Sequence, residues 1–272
     1  MAHSPLQQGE GQTCPTPGPP PIIVSGMSFA IGMFDKNGQD VILGVDQRWV
    51  DGEAGRFTLL KDAGLKSIDL NAGSALAFTG HAKLMAEIIG RLYDDDSLFS
   101  DAPHKYINVL EEVERREYPL KGTTSDFEQL INEIVPDVRR EYDDRYRLSL
   151  ILTGKINEEL VIVWWAEESN WLGNRNTYDR DTPYIATLPP EAPCNSSQYN
   201  ETHSILGGRE SPEVRIKHAV GFLAGHATIQ SVSNSCILRR FSKQFMKEKY
   251  GTIPPSNSPI QNPSTDAGRL SP

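Results

Sequence analysis

A hydroxyl group and two opposite charges stand at the ends of a predicted hairpin near the start of the chain. Ser28 opens the apolar run 28–34, and Asp46 and Arg48 close the run that begins at Val41. A serine hydroxyl becomes a nucleophile when a neighbouring base takes its proton, so Ser28 is a candidate for attack on a carbonyl carbon. Two structural interpretations compete with this one. Ser28 could be a small strand residue that lets a neighbouring layer approach, and Asp46 and Arg48 could form a structural ion pair at a strand end.

Two commoner kinds of catalytic site find no support in the sequence. A Ser-His-Asp hydrolase built on a nucleophile elbow needs a Gly-x-Ser-x-Gly motif, which is missing. His218 and His226 are eight residues apart, whereas helical zinc ligands lie about four residues apart. The 3 cysteines are too widely spaced to form a zinc-ligand pair. We therefore expect neither a bound metal nor a cofactor.

The two runs around Ser28 predict paired strands. Phe29, Ile31 and Met33 alternate with small residues, and this period of two is typical of a strand pressed between two layers. The segment 35–38, Asp-Lys-Asn-Gly, predicts the turn, since Asn-Gly readily takes the positive φ angles of a tight hairpin. The returning run 41–45 is apolar almost throughout, which indicates that both of its faces are covered.

Further elements follow from the periodicity of the apolar residues. Strands are predicted at 65–70, 74–79, 148–152, 160–165 and 236–241. Helices are predicted over 81–92, 103–118, 125–142 and 211–229, with Pro136 as a candidate break in the third. The polar stretch 167–202 is interpreted as irregular, because Asn, Pro and Gly interrupt it. This order of strands and helices predicts a layered α+β fold.

Composition divides the chain into one domain and two tails. Residues 1–26 are rich in Pro, Gly and Gln and are expected to be a disordered tail or a propeptide. Residues 27–245 are expected to form the domain, and 246–272 a disordered C-terminal tail.

The charge balance and the hydropathy pattern exclude several partners. Lys and Arg total 27 against 36 Asp and Glu, and the net charge of -9 comes without a basic cluster. We therefore expect no binding to nucleic acid or to a membrane. No apolar run reaches the length of a membrane span, and residues 1–26 lack the basic start and apolar centre of a secretory signal. A cytoplasmic protein is expected.

Four features in a fixed order resemble the proteasome-type N-terminal-nucleophile (Ntn) hydrolases. They are Ser28 followed by Ala-Ile-Gly at 30–32, the Asp46-x-Arg48 motif, Lys66 followed by Ile-Asp-Leu-Asn at 68–71, and Ala-Phe-Thr-Gly at 77–80 leading into a helix. Their order and spacing together carry the resemblance, which covers 22–242. It implies a four-layer αββα sandwich of two antiparallel sheets flanked by helices.

The resemblance implies a catalytic role for four residues. Ser28 takes the place of the nucleophilic Thr, and Lys66 is the cation beside it, which favours the deprotonated form of nearby groups. Asp46 pairs with Lys66 and compensates its charge, and the Gly80 N–H donates to the oxyanion of the tetrahedral intermediate. Without the resemblance, Lys66 would be interpreted as a solvated strand lysine.

A substrate-binding pocket is implied in the same way. Trp49, Phe78 and Ala82 would lie near the substrate side chain, and the bulk of Phe78 would make the pocket shallow.

The resemblance also requires a processed N-terminus. In this family the free α-amine of the nucleophile is the base, so Ser28 must become residue one. Cleavage after Met27 would expose it, and so would initiation at Met27 followed by removal of that methionine. In the family's self-processing subunits a Gly directly precedes the nucleophile, and here Gly26 stands one residue too early.

Two late motifs of the family are altered. Its active subunits carry Gly-Ser-Gly before the long late helix, where this chain has Leu-Gly-Gly at 206–208. They carry Asp-x-x-Ser after that helix, where this chain has Ser-Val-Ser-Asn at 231–234. Because these residues orient the nucleophile and its amine, the changes favour a subunit without peptidase activity.

The sequence thus leaves three hypotheses of function. The first is a proteasome-like subunit that joins other such subunits in a homo- or hetero-oligomeric ring and hydrolyses peptides or proteins through Ser28, in the manner of a threonine-type peptidase. The second is a catalytically inactive structural or gating subunit with the same sandwich. The third is an Ntn hydrolase of small amides. Retention of Ser28, Asp46, Lys66 and Gly80 favours the first, and the altered late motifs favour the second.

Overall fold

A computed structural model describes most of the predicted domain. The described residues are 28–53, 56–71, 73–93, 106, 108–116, 127–141, 148–166, 173–179, 183–243 and 248–249. The predicted tail at 1–26 lies outside them, as does all of the predicted C-terminal tail except 248–249.

The described elements are twelve strands and five helices. The strands are β1 (Ala30–Phe34), β2 (Asp40–Asp46), β3 (Trp49–Glu53), β4 (Arg56–Lys61), β5 (Ser67–Asn71), β6 (Ser74–Gly80), β7 (Leu148–Ile156), β8 (Glu159–Trp165), β9 (Asn174–Asn176), β10 (Tyr184–Thr187), β11 (Cys236–Ser242) and β12 (Glu248–Lys249). The helices are α1 (Ala82–Tyr93), α2 (Val109–Arg116), α3 (Phe127–Glu141), α4 (Ser197–Leu206) and α5 (Pro212–Gly225).

Two sheets of five strands each form the centre of the molecule. The first sheet has the order β10-β1-β2-β11-β12, and the second has the order β5-β6-β7-β8-β9. Neighbouring strands in both sheets are antiparallel. Strands β3 and β4 follow β2 and precede β5 in the chain, and they form a separate antiparallel hairpin.

Apolar side chains fill three layers between these elements. One core lies between the first sheet and helices α4 and α5, and its buried members include Phe29, Leu206 and Leu223. A second core lies between the two sheets and includes Val45 and Ile151. The third lies between the second sheet and helices α1, α2 and α3, with buried residues from each: Leu70, Leu84, Val113, Val135 and Leu150. Helix, sheet, sheet, helix is the order of the layers, and the predicted αββα sandwich is confirmed.

The alternation predicted for the first strand separates two of these cores. Phe29, Ile31 and Met33 face the helices, whereas Ala30 and Phe34 face the second sheet. Large side chains on the helix face and mostly small ones on the sheet face let the two sheets approach closely.

Gly32 packs directly against the second sheet, and substitution there is expected to be costly. A Cβ at this position would lie 2.7 Å from Ile162 Cγ2 and 2.9 Å from Thr153 Oγ1 in the second sheet. Gly32→Ala should therefore lower the free energy of unfolding by about 1–3 kcal/mol, measured by chemical denaturation. The control is Gly221→Ala in α5, where a Cβ meets nothing within 4 Å. Equal stability of the two variants would contradict this packing.

The interpretation of 167–202 as irregular is wrong in three places. Strand β9 lies at the edge of the second sheet, β10 pairs with β1 at the edge of the first, and α4 starts at Ser197. The β3–β4 hairpin was not predicted either. These elements lack a continuous apolar pattern, and α4 buries only Thr202 and Leu206. Strands β9 and β10 gain their backbone hydrogen bonds from β8 and β1, and α4 is capped at its start, where Ser196 Oγ accepts from Tyr199 N at 3.1 Å.

Two helix predictions also need correction. Helix α3 runs from Phe127 to Glu141 without a break at Pro136, with Val135 and Val138 buried on either side of it. The packing of this face keeps the helix continuous where the missing N–H alone would favour a break. Helix α5 ends at Gly225, before the predicted 229, because His226 already has extended backbone angles. Among the described residues, no helix has the length and apolar character that crossing a membrane requires.

Candidate active site

The corner between β1 and β2 positions the first two site residues. Their antiparallel register brings Ser28, which precedes β1, beside Asp46 at the end of β2. Phe29 N donates to Asp46 Oδ1 at 3.0 Å, and Asp46 N donates to Phe29 O at 3.0 Å. Lys66 comes from the other sheet, directly before β5, and its backbone oxygen accepts from Phe78 N at 2.8 Å. The site therefore lies where the two sheets meet.

Ser28, Lys66 and Asp46 form a continuous chain of polar contacts. Lys66 Nζ donates to Ser28 Oγ and lies 3.3 Å from each carboxylate oxygen of Asp46. The three residues are 1%, 0% and 0% exposed, in that order. The alternative of a solvated strand lysine is wrong for Lys66, whose amine contacts a hydroxyl and a carboxylate in the protein interior.

Burial sets the electrostatics of the pair. Burial raises the pKa of the Asp46 carboxyl above its ordinary value of 3.8, against the Lys66 charge and the N–H groups of Arg48 and Phe29, which lower it. Burial likewise lowers the pKa of the Lys66 ammonium below its ordinary value of 10.5, against the stabilising charge of Asp46. The two shifts make it easier to transfer a proton within the pair. A lysine of this kind can act as a base or as a nearby cation, depending on pH.

The Arg48 side chain does not form the structural ion pair with Asp46 that the sequence suggested. Its backbone N donates to Asp46 Oδ2 at 2.9 Å, but its side chain turns away. Arg48 Nε pairs with Asp62 Oδ1 at 2.7 Å, and Nη1 donates to the backbone oxygen of Gln230 at 3.1 Å. The interpretation of Asp46 and Arg48 as a structural ion pair is thus wrong, since Asp46 pairs with Lys66 and Arg48 with Asp62.

Gly80 stands at the end of β6, two residues after the bond between Phe78 N and Lys66 O. Its φ of 113° lies in the region that favours glycine, so this position needs a residue without a Cβ. The structure thereby accounts for the glycine itself. Donation from its N–H to an oxyanion stays a prediction.

The three residues predicted to line a pocket pack against one core. Trp49 and Phe78 are 2% and 1% exposed and belong to the core of the second sheet, against which the half-buried Ala82 also packs. The Trp49 ring lies under the lysine, with Lys66 Nζ 5.3 Å from its centroid, so it supports the cation of the site. Their contact with a substrate stays a prediction.

No protein-family model matches the sequence, and the curated proteins give no match either. Among solved structures, a eukaryotic HslV from Trypanosoma brucei is similar at 12% identity and a TM-score of 0.47, over 79% of this chain and 99% of that one. Anbu, an ancestral beta-subunit from Yersinia bercovieri, is similar at 14% identity and a TM-score of 0.49, over 81% of this chain and 86% of that one. At such identities the layer order and strand pairing of the chain itself have to carry the assignment. The chain itself shows the four-layer order that the resemblance to the proteasome-type Ntn hydrolases implies, with two antiparallel sheets between two layers of helices.

The loop after α5 brings one more residue to the site. Ser233 is buried, its N donates to Asp46 Oδ2 at 3.4 Å, and its Oγ accepts from Gln47 N at 3.2 Å. The same Oγ donates to Ser235 O at 2.9 Å. Sequence reasoning treated the serines of 231–234 as part of an altered motif. The signal that could have identified Ser233 is its place just before β11, whose first residue, Cys236, pairs with Asp46.

One serine of the altered motif at 231–234, Ser233, thus lies beside Asp46.

A buried arginine forms hydrogen bonds and an ion pair with β5, the strand that follows Lys66. Arg239 of β11 is 1% exposed, and its Nε and Nη2 donate to Ser67 Oγ and Ser67 O at 3.1 and 3.2 Å. Its Nη1 pairs with Asp69 at 2.6 Å, and Nη2 pairs with Glu114 of α2 at 2.7 Å. These bonds connect the first sheet to β5 and α2, so they hold Lys66 in register with the Asp46 corner.

Proposed function

We propose that this chain is a subunit of a proteasome-like ring and hydrolyses peptide bonds through Ser28. The observation that supports this most is the buried contact of Ser28 Oγ with Lys66 Nζ, with Asp46 behind the lysine. A hydroxyl next to a buried cation can lose its proton more easily than a hydroxyl in water, because the cation stabilises the alkoxide.

In the proposed reaction, Ser28 Oγ attacks the carbonyl carbon of the scissile bond and its proton passes to a base. The free α-amine of Ser28 would be that base, because an ordinary pKa of about 7.7–8.0 leaves part of it neutral near pH 7. The Lys66 charge stabilises the alkoxide, and the Gly80 N–H donates to the carbonyl oxygen as it becomes an oxyanion. The protonated amine then gives its proton to the leaving amine. Water, activated by the same amine, hydrolyses the acyl-enzyme.

The proposal extends to the substrate-binding residues. Trp49 and Phe78 would form the floor beneath a substrate side chain, with Ala82 at its edge. Because both aromatic side chains are already buried in the core, we expect the pocket to be shallow and small side chains to be preferred.

The active species is expected to begin at Ser28. An amide nitrogen within the chain cannot act as a base, so hydrolysis through the amine requires loss of the bond between Met27 and Ser28. Intact mass and N-terminal sequencing of the active protein should show a chain that starts at residue 28. An active chain that keeps residues 1–27 would contradict the amine mechanism and would leave Lys66 as the base.

Assembly is part of the proposal. The family resemblance implies a ring of this subunit, either with copies of itself or with related subunits, in the cytoplasm. Leu59 and Leu60 support a contact between subunits, since these neighbouring leucines of β4 are 56% and 47% exposed. Light scattering should give a mass of several subunits, whereas a mass of about one 30.2 kDa chain would argue for an isolated hydrolase.

A structural or gating subunit without activity is the second candidate. It is favoured by the altered late motifs at 206–208 and 231–234 and by the burial of Ser28. The two candidates differ in one assay. A panel of short fluorogenic peptides should be hydrolysed by the chain that begins at Ser28, while an assembled ring that leaves every peptide intact would support the structural role. Hydrolysis of small amides alone would support the third hypothesis.

A further inference from the structure

The backbone at Gln230 is held from both of its sides. Glu191 Oε1 accepts from Gln230 N at 3.2 Å and from Ser231 N at 3.1 Å, while Glu191 Oε2 accepts from Ser231 Oγ at 2.9 Å. On the opposite side, Arg48 Nη1 donates to Gln230 O at 3.1 Å. Glu191 is separated from these residues by about 40 positions in the sequence. One carboxylate thus receives three hydrogen bonds from two successive residues of the loop before β11.

Glu191 is itself set in a rigid support. Ala192 N donates to Pro189 O at 2.9 Å, which closes a turn with Pro190 and Glu191 at its centre. The proline fixes the backbone angle at the second position of such a turn. Ala192 is 3% exposed and packs in the core between the first sheet and its helices. The carboxylate therefore projects from an anchored turn.

The loop that Glu191 holds is anchored in the same core. Ile229 and Val232 are 3% and 0% exposed and belong to the cluster that contains Ala192. Ser231 is 0% exposed, so water cannot readily replace the carboxylate as its partner. Two residues beyond Ser231, the chain reaches Ser233 and its contacts with Asp46 and Gln47.

We propose that Glu191 is a positioning residue, which holds Ser233 on the Asp46 carboxylate by fixing the backbone at Gln230 and Ser231. The inference rests on the proposed function for its effect on catalysis, but the contact itself can be tested apart from it. Asp46 places Lys66, and Lys66 contacts the Ser28 hydroxyl, so a shift of the loop reaches the nucleophile through that sequence of contacts.

The first test measures the loop directly. Hydrogen exchange of the full chain should be faster by about 10-fold or more at the amides of Gln230, Ser231 and Ser233 in Glu191→Ala than in the wild type. Glu201→Ala is the matched control, because Glu201 is an exposed glutamate on α4 and its loss should leave these amides unchanged. Unchanged exchange in Glu191→Ala would overturn the proposal, whether or not the protein hydrolyses peptides.

The second test measures the consequence for hydrolysis of short fluorogenic peptides. Glu191→Ala should lower kcat about 10- to 100-fold with KM changed by less than about 3-fold, because a misplaced reactive group slows the chemical step more than binding. Glu191→Gln should keep most of the wild-type kcat, since its amide oxygen still accepts from both N–H groups and its NH₂ can donate to Ser231 Oγ.

The outcomes separate the two proposals. Faster exchange in Glu191→Ala together with wild-type kcat in an active protein would overturn the positioning role. Equal losses in the Ala and Gln variants would also overturn it, because they would tie the effect to the charge and not to the held backbone. A wild-type chain that starts at Ser28 and hydrolyses nothing would refute the proposed function, and the exchange experiment would then decide on Glu191 by itself.

Discussion

Ser28→Ala is expected to lower kcat for peptide hydrolysis by at least about 10³-fold in a chain that starts at residue 28. The substitution removes the hydroxyl that contacts Lys66 Nζ and leaves the α-amine in place. The measurement is the rate of hydrolysis of short fluorogenic peptides under saturating substrate. Because a single nucleophile is replaced, little residual activity should remain.

The control for this variant is Ser204→Ala, which removes the same atoms from an exposed position of α4. Its kcat should equal that of the wild type. Equal rates in Ser28→Ala and wild type would remove Ser28 from the mechanism, and any hydrolysis would then come from another group.

Lys66→Met is expected to lower the free energy of unfolding by about 3–5 kcal/mol near neutral pH. Methionine fills a similar volume, but Asp46 is 0% exposed and would keep its charge without the cation that compensates it. Chemical denaturation measures the loss. The double variant Lys66→Met with Asp46→Asn should recover part of it, because no unpaired charge then remains in the interior.

Lys61→Met is the matched control for the loss of an ion pair. Lys61 contacts Glu111 at 2.6 Å, but the two side chains are 32% and 39% exposed. An exposed pair contributes little, so this variant should lose less than about 1 kcal/mol. A loss in Lys66→Met no greater than that in Lys61→Met would contradict the account of a buried, mutually dependent pair.

The pH dependence identifies the group that destabilises Lys66→Met. Burial raises the pKa of Asp46, and removal of Lys66 takes away the opposing charge. A carboxyl whose pKa is higher in the folded than in the unfolded protein destabilises the fold increasingly as pH rises from the unfolded pKa through the folded one. The stability difference from wild type should therefore be larger at about pH 8 than at about pH 5. A difference independent of pH would mean that Asp46 is not the uncompensated charge.

Local sequence was sufficient to predict the central strands and the first helices. In β1 the alternation of Phe29, Ile31 and Met33 with small residues has the period of a strand, and Leu84, Ile88 and Leu92 have that of a helix. These patterns follow from which side chains must be buried on one face. They predicted correct elements because the burial they require is the burial that the two sheets and their helices supply.

Polar and short elements could not be predicted in this way. Strand β10 is only half-buried and gains its hydrogen bonds from β1, about 150 residues away in the sequence. Helix α3 continues without a break past Pro136 because its apolar face is packed on the second sheet. In both cases distant partners supply what the local sequence lacks.

The candidate site divides along the same line. The order and spacing of Ser28, Asp46, Lys66 and Gly80 were enough to suggest an Ntn-type site through the resemblance to that family. Only the tertiary structure decided that Ser233 joins Asp46 across 187 positions and that Glu191 holds the loop that carries it. Such contacts depend on how β11 pairs with β2 and how two loops pack on one core, and a linear pattern carries no record of that pairing.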